Sequence, residues 1–318
     1  MNRVFRAALL AALCAAGAAL AQDYPARAIR LIVPFPPGGG MDGVGRPVAE
    51  KLAAILGQPV VLENRPGAAG NIGTEMAARA VADGYTLLVA NDLLSTNPAI
   101  YKSVGFDPIK DFTPIARLGT VQMLLVVPAS SPARDLKEIA AQSRVKPLSY
   151  GTPGIGSVPH FLGELLNLEG TIRILHVPYK GSGPAVADAI GGQIDCVLTT
   201  MPSLISHIRS GKLRAIAVPS SRRAEGLPDV PTFAEAGIAG IDSDIWYGLF
   251  APSATPEPVL RRRQAATAQA LAMPDLAERL KKSGYDLAPS TPEAFSAQIR
   301  ADLERWRKVV ADAKIPRE

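Results

Sequence analysis

The stretch IRLIVPFPPGGGMDGVGRPVAEKLAAIL, residues 29–56, decides the fold. Its first part, Ile29–Phe35, is an apolar, β-branched run, which reads as a strand buried on both faces. The run stops at Pro36-Pro37-Gly38-Gly39-Gly40, after which Val44, Val48, Leu52, Ile55 and Leu56 recur at helical spacing until Gly57. Strand, glycine-rich turn and helix open a βαβ unit, and the chain repeats the pattern. A strand is expected at Val60–Leu62, a helix at Asn71–Ala82, and a strand at Tyr85–Ala90 after the Asp83-Gly84 turn. Strands separated by helices of this length predict right-handed crossovers and a parallel sheet.

The rhythm restarts after Pro128. Helices predicted over 136–143, 159–168, 184–190 and 204–210 alternate with strands over 148–150, 172–177, 194–199 and 213–218. A strand over 247–251 and three helical stretches, the last over 295–313, close the chain. A surplus of helices after a second α/β unit is explained most economically if the chain crosses back to the first unit near 245. The expected architecture is therefore α/β and two-lobed, with parallel-type sheets, helices on both faces and two hinge crossings. Residues 22–122 and 246–318 form one expected domain and residues 123–245 the other. Such lobes make a hinged clamp with a cleft between them.

Before residue 22 the chain reads as an address. Arg3 and Arg6, the apolar run Ala7–Leu20 and Ala19-Leu20-Ala21 form the pattern of a secretory signal peptide cleaved after Ala21. The apolar run falls short of the ~20 residues that span a bilayer. The 318 residues suit about two domains. The 34 basic residues against 29 acidic ones fall to 32 once Arg3 and Arg6 are removed, a net charge of +3. The one dense basic run, Arg261-Arg262-Arg263, has no aromatic neighbour, so no nucleic-acid partner is expected. Only Cys196 survives cleavage, which excludes an internal disulfide. His160, His176 and His207 lack ligand spacing, so neither a metal nor a cofactor is expected.

The turns carry the chemistry. In Pro34–Asp42, three glycines expose backbone N–H groups beside a helix N-terminus, a natural cradle for a carboxylate or phosphate. Asp42 is placed to cap that helix. Gly38, Gly40 and Gly43 also spell G-x-G-x-x-G, with Glu63 twenty residues on, which keeps a dinucleotide-binding oxidoreductase as a competing reading. Asn64–Gly73 is a second strand-to-helix turn of small residues, suited to a ligand wall. Ser149–His160 repeats the cradle in the second unit, with Ser157 as an expected N-cap whose hydroxyl could also face an anion. Ser157 with His160 as base would make a serine hydrolase, but Ile155 stands where a nucleophile elbow needs glycine. In His176–Pro184, Ser182 is an expected N-cap and Lys180 a solvated lysine. Trp246 and Tyr247, at the second crossing, read first as core and second as cleft lining.

Beyond these turns, several blocks resemble one known family. They are Ile32–Gly39, Leu56–Val61, Asn64–Ala68, Asp83–Leu87, His176–Gly181, Gly211–Ala215, Leu227–Thr232 and Glu235–Gly237, in that order, with Tyr24-Pro25 ahead of them. The whole mature chain resembles the Bug family of periplasmic solute-binding receptors of tripartite tricarboxylate transporters. The resemblance implies a periplasmic Venus-flytrap receptor without catalytic activity. It also implies a small carboxylate ligand held by main-chain groups and ordered waters in Phe35–Asp42, Gly67–Asn71 and Thr152–Ser157. The expected binding residues are Phe35, Pro36, Gly38, Gly39, Gly40, Met41 and Asp42 in the first turn, and Gly67, Ala68, Ala69 and Asn71 in the second. Asn91, Thr152, Gly154, Gly156, Ser157, His160, Tyr179 and Thr199 complete the set. Membrane transporter subunits are the implied partners of an expected monomer, with a signalling partner as the alternative. Met41 stands where the family usually has Thr, and Asn91–Leu94, Pro153 and Thr199–Met201 also depart from its pattern.

Overall fold

In a computed structural model describing residues 24–318 apart from 171, the chain alternates between strand and helix as its apolar spacing demands. The signal segment and its cleavage point lie outside the described residues. The strands are β1 (Ile29–Val33), β2 (Val60–Asn64), β3 (Thr86–Asn91), β4 (Phe112–Val121), β5 (Met123–Pro128), β6 (Leu148–Thr152), β7 (Ile174–Pro178), β8 (Cys196–Thr200), β9 (Leu213–Ala217) and β10 (Ile245–Pro252). The helices are α1 (Gly40–Leu56), α2 (Asn71–Ala78), α3 (Leu93–Ile100), α4 (Leu136–Val145), α5 (Val158–Leu168), α6 (Ser182–Ile190), α7 (Ile205–Arg209), α8 (Glu257–Leu271), α9 (Pro274–Lys282) and α10 (Pro292–Asp312).

Two five-stranded sheets result, one in each lobe. Their orders are β2-β1-β3-β10-β4 and β7-β6-β8-β5-β9. Both are mixed. Neighbours β1, β2 and β3 run parallel, as do β6, β7 and β8, but β10 and β5 run antiparallel to their partners. The reason is the crossing itself. A strand that arrives from the other lobe starts at the cleft, whereas the βαβ strands end there, so it must run against them. Apolar periodicity reports burial but not direction, so this antiparallel character is absent from the sequence pattern.

One residue, Gln122, separates β4 from β5. Its side chain donates to Ser220 Oγ at 3.2 Å and to the Arg222 carbonyl at 3.0 Å, tying the outgoing crossing to the returning one. The return reaches β10 at Ile245, which is paired directly with Val121 at the end of β4.

Burial holds each lobe together. Ile29, Leu31, Ile32 and Val33 of β1 are fully buried, and so are Trp246 and Phe295, whose rings meet edge to face 5.0 Å apart. The lobes are also packed on each other. Trp306 of α10 lies against Phe161 of α5 with ring centroids 5.4 Å apart, so one apolar cluster continues from the first lobe into the second. Among the described residues no helix is long and apolar enough to cross a membrane.

Candidate functional site

The βαβ strands of both sheets end at one cleft of about 520 Å³. From the first lobe it is lined by Gly38–Gly40 before and in α1, by Asn91–Leu93 before α3, and by Val121 and Ile245 at the crossings. From the second lobe come Ser157 and Val158 at the start of α5, Ser182 at the start of α6, and Thr200 at the end of β8. The N-termini of α1, α3, α5 and α6 therefore converge on one space. Each brings the positive end of its dipole, although Asn91 Oδ1 already accepts from Leu93 N–H at 3.1 Å at the start of α3 and Asp42 accepts from Gly38 N–H. Among the described residues no lysine or arginine lines the cleft.

Close packing explains the glycines of the first turn. A Cβ on Gly40 would lie 2.5 Å from the Tyr247 hydroxyl, and one on Gly43 would lie 2.6 Å from that of Tyr285. The two rings meet edge to face at 5.5 Å, and Tyr285 Oη donates to the Gly40 carbonyl at 2.9 Å. Thus the G-x-G-x-x-G spacing seats a pair of tyrosines on α1. Burial raises the pKa of both phenols, keeping them as neutral hydroxyls at the cleft wall.

Asp42 is not the N-cap, which is Gly39. It sits in the first turn of α1 and reaches back, accepting from Gly38 N–H at 3.2 Å, from Arg46 Nη2 at 2.9 Å and from Asn64 Nδ2 at 3.3 Å. Burial works against its charge, but bonds from Arg46, Gly38 and Asn64 outweigh it and hold the carboxyl below its ordinary value. Asp42 therefore shapes the glycine turn from behind. Met41 packs into the core at 4 % exposure.

The second-lobe turn is supported by polar side chains. Ser157 caps α5, accepting from His160 N–H and donating from Oγ to the Gly154 carbonyl at 2.7 Å. His160 Nδ1 accepts from Gly156 N–H at 3.2 Å, and its ring stacks on His176 with centroids 4.0 Å apart. His176 Nε2 in turn bonds Thr152 Oγ1 at 2.7 Å. Burial lowers the pKa values to about 3 for His160 and about 4 for His176, so both rings are neutral at ordinary pH. The only Ser157–His160 bond runs through the helix backbone, and the ring nitrogen that could serve as base is already used. No hydrolytic dyad forms.

Of the residues expected to bind, Gly38, Gly39, Gly40, Asn91 and Ser157 meet at the cleft. Others stand behind it. Thr199 bonds Ser182 Oγ at 2.7 Å, Thr152 and His160 buttress the second turn, and Tyr179 donates to Asp188 at 2.7 Å. Gly154 and Gly156 supply positive φ to that turn, and Gly156 abuts Ile100 of the first lobe. Phe35 packs its ring over Gly70 beside exposed Pro36, and Gly67, Ala68 and Ala69 carry the second turn through positive φ. Asn97 fastens that turn by donating to the Ala69 carbonyl and to Asn71 Oδ1. These residues are not lining groups of the cleft.

The comparisons with known proteins agree with this geometry. The family model described as "Tripartite tricarboxylate transporter family receptor" matches residues 44–315. The chain belongs to this receptor family. Protein BugT of Bordetella pertussis is 36% identical over 296 residues, covering 92% of this chain and 91% of BugT. Among solved structures, R. palustris Rpa4515 with adipate superposes with a TM-score of 0.83 at 32% identity, covering 92% of this chain and 99% of that one. MatC from Rhodopseudomonas palustris with bound malate gives a TM-score of 0.77 at 33% identity, covering 90% and 100%. Members are solute-binding receptors and not enzymes, which removes both the hydrolase and the oxidoreductase readings.

Two features of the receptor's cleft escaped sequence reasoning. Tyr285 and Ser283 follow α9, far from every glycine-rich turn. The one signal for Tyr285 was Gly40 and Gly43 three apart on a helix face, which requires a bulky neighbour there without naming it. Asp92 was noted only as a departure from the family pattern, yet it lines the cleft at 3 % exposure with Oδ2 accepting from Trp246 N–H at 2.9 Å.

Proposed function

We propose that this receptor captures a small organic acid between its lobes in the periplasm and delivers it to the membrane subunits of a tripartite tricarboxylate transporter. The observation that carries this reading is the convergence of helix N-termini from both lobes on a cleft lined by no cationic side chain. Such a site holds a carboxylate through oriented N–H groups and hydroxyls, which favours reversible capture over permanent ion pairing. Gly38–Gly40 serve one side of the guest, and Ser157 and Ser182 the other, with Asn91 beside them. The volume suits a small molecule. Bound adipate and malate in two relatives support the same class of guest.

On this reading the signal peptide is removed after Ala21, residues 22–122 with 246–318 move against residues 123–245, and the receptor acts as a monomer. The test is calorimetry and thermal shift on the stripped protein against C4–C6 carboxylic acids. A micromolar guest corresponds to about −8 kcal/mol, and at a hundredfold excess over Kd it stabilises the fold by about 2.7 kcal/mol. If no organic acid shifts the melting temperature, the proposal fails.

A further inference from the structure

We propose that Asp92 takes part in capture as an unionised acid, donating its own proton in a hydrogen bond to a carboxylate of the guest. This inference rests on the receptor reading above. Among the described residues, Asp92 is the only Asp, Glu, Lys or Arg lining the cleft. It occupies the N-cap position of α3, but its side chain makes no capping bond there, so the carboxyl is not spent on its own helix. One oxygen, Oδ2, is engaged by Trp246 N–H at 2.9 Å. No cation pairs with it.

The groups facing Asp92 from the packed elements point the same way. Asp302 of α10 accepts from Trp246 Nε1 at 2.9 Å, Asp244 lies on the returning crossing, and Tyr247 of β10 presents a neutral phenol. Positive charge reaches these acids rather than Asp92: Arg305 lies near Asp302, and Arg222 and Arg117 near Asp244, while their hydrogen bonds go to the Asp242 carbonyl, Asp286 and the Ala288 carbonyl. Burial first, then the nearby Asp302 carboxyl and less strongly Asp244, push the Asp92 pKa well above the ordinary carboxylate value, against the pull of its own backbone N–H and that of Trp246.

An ionised Asp92 would occupy the positive field of the helix N-termini itself and repel an anionic guest across a poorly solvated gap. A protonated one becomes the missing donor, and two carboxyl groups sharing one proton are stable in such a site. The proton stays with Asp92 throughout: the guest arrives and leaves as its carboxylate, and release regenerates the unionised acid with no net exchange with solvent.

The experiment titrates stripped full-length mature protein with malate, succinate, glutarate, adipate and citrate between pH 5 and pH 9. Wild type, Asp92→Asn and Asp92→Ala are compared. Wild-type affinity is expected to fall at least tenfold across the range. Asp92→Asn, whose amide donates without titrating, should stay within threefold of the wild-type pH 5 value, and the shared comparison cancels titration of the guest. Asp92→Ala should lose at least tenfold at pH 5. The inference is overturned if the wild-type profile is as flat as that of Asp92→Asn, if Asp92→Ala binds like wild type, or if Asp92→Asn binds over tenfold tighter at pH 5. Should Asp92→Ala fail to fold, the wild-type and Asp92→Asn profiles decide alone. Failure of all five acids to bind at every pH overturns this inference together with the receptor reading, whereas binding without these differences overturns this inference alone.

Discussion

The two turns that face each other across the cleft offer a guest similar groups yet are held in place by opposite means. In the first lobe, Gly38–Gly40 are pressed into position by Tyr247 and Tyr285, whose hydroxyls fit only because Gly40 and Gly43 have no side chain. In the second lobe, Gly154 and Gly156 supply positive φ, while Ser157 and the Thr152–His176–His160 chain provide the support. The first cradle needs steric room for two tyrosines in addition to the Asp42 and Tyr285 bonds, whereas the second rests chiefly on its side-chain hydrogen bonds. A helix N-terminus is thus a portable binding element, and its scaffold is free to differ.

The widest break in this comparison is to separate the lobes. Phe161→Ala empties a fully buried site against Trp306 and is expected to cost about 3–5 kcal/mol in chemical denaturation. A resolved second transition would show the lobes unfolding independently, and an unchanged midpoint would refute the shared core.

Acid should then unbuckle the second lobe selectively. His160 and His176 have folded pKa values of about 3 and about 4, below the unfolded value near 6.5. Their unfolded forms bind more protons, so their contribution is fully present above pH 6.5 and is lost as pH falls toward 4. A loss on the order of 2 kcal/mol per histidine between pH 6.5 and 4.5 is expected, read from melting curves. The window is specific, because Glu63, held at about 2 by Arg30 and Arg65, loses its contribution only as pH falls from about 4.5 toward 2. Asp92, Asp244 and Asp302, with raised pKa values, act with the opposite sign. His176→Gln should therefore flatten the pH profile relative to wild type, and an unaltered slope would discard this account.

A single methyl group tests the steric cradle. Gly40→Ala, with its Cβ 2.5 Å from the Tyr247 hydroxyl, is expected to weaken binding of the best acid about tenfold, or ~1.4 kcal/mol. Gly39→Ala, whose nearest neighbour is the Pro36 carbonyl at 3.6 Å, should change little. Adding Tyr247→Phe to Gly40→Ala should recover part of the loss in calorimetry. Equal losses at both glycines would point instead to backbone freedom.

The hydrogen-bonded cradle should give the smallest response. Ser157→Ala removes the α5 cap and is expected to cost about 1 kcal/mol of stability by thermal melting. Esterase activity should be absent in both forms.

Much of the fold was legible because it is local. The Ile29–Phe35 run, the helical spacing after Gly40 and the glycine-bearing turns each need only neighbouring residues to be interpreted. Ser157 was placed at its cap for the same reason. Ser182 fell one position inside α6, whose N-cap is Gly181, and Asp42 proved to brace Gly38 from within α1. What stayed hidden depends on distant partners. The direction of β5 and β10 follows from where the chain crosses, and Tyr285 meets Gly43 across more than two hundred residues. Asp92 carries no periodic signature, and its character comes from Trp246, Asp244 and Asp302, all remote in the chain.

The pairing of Val121 with Ile245 has a mechanical consequence. The two spans that connect the halves leave from adjacent points, cross-tied by the Gln122 side chain. Anchors so close together have little leverage against tilt, so the Trp306–Phe161 contact is the further point that fixes the attitude of the halves. Any change of angle between the jaws has to be taken up at this narrow seam and at that shared apolar contact together.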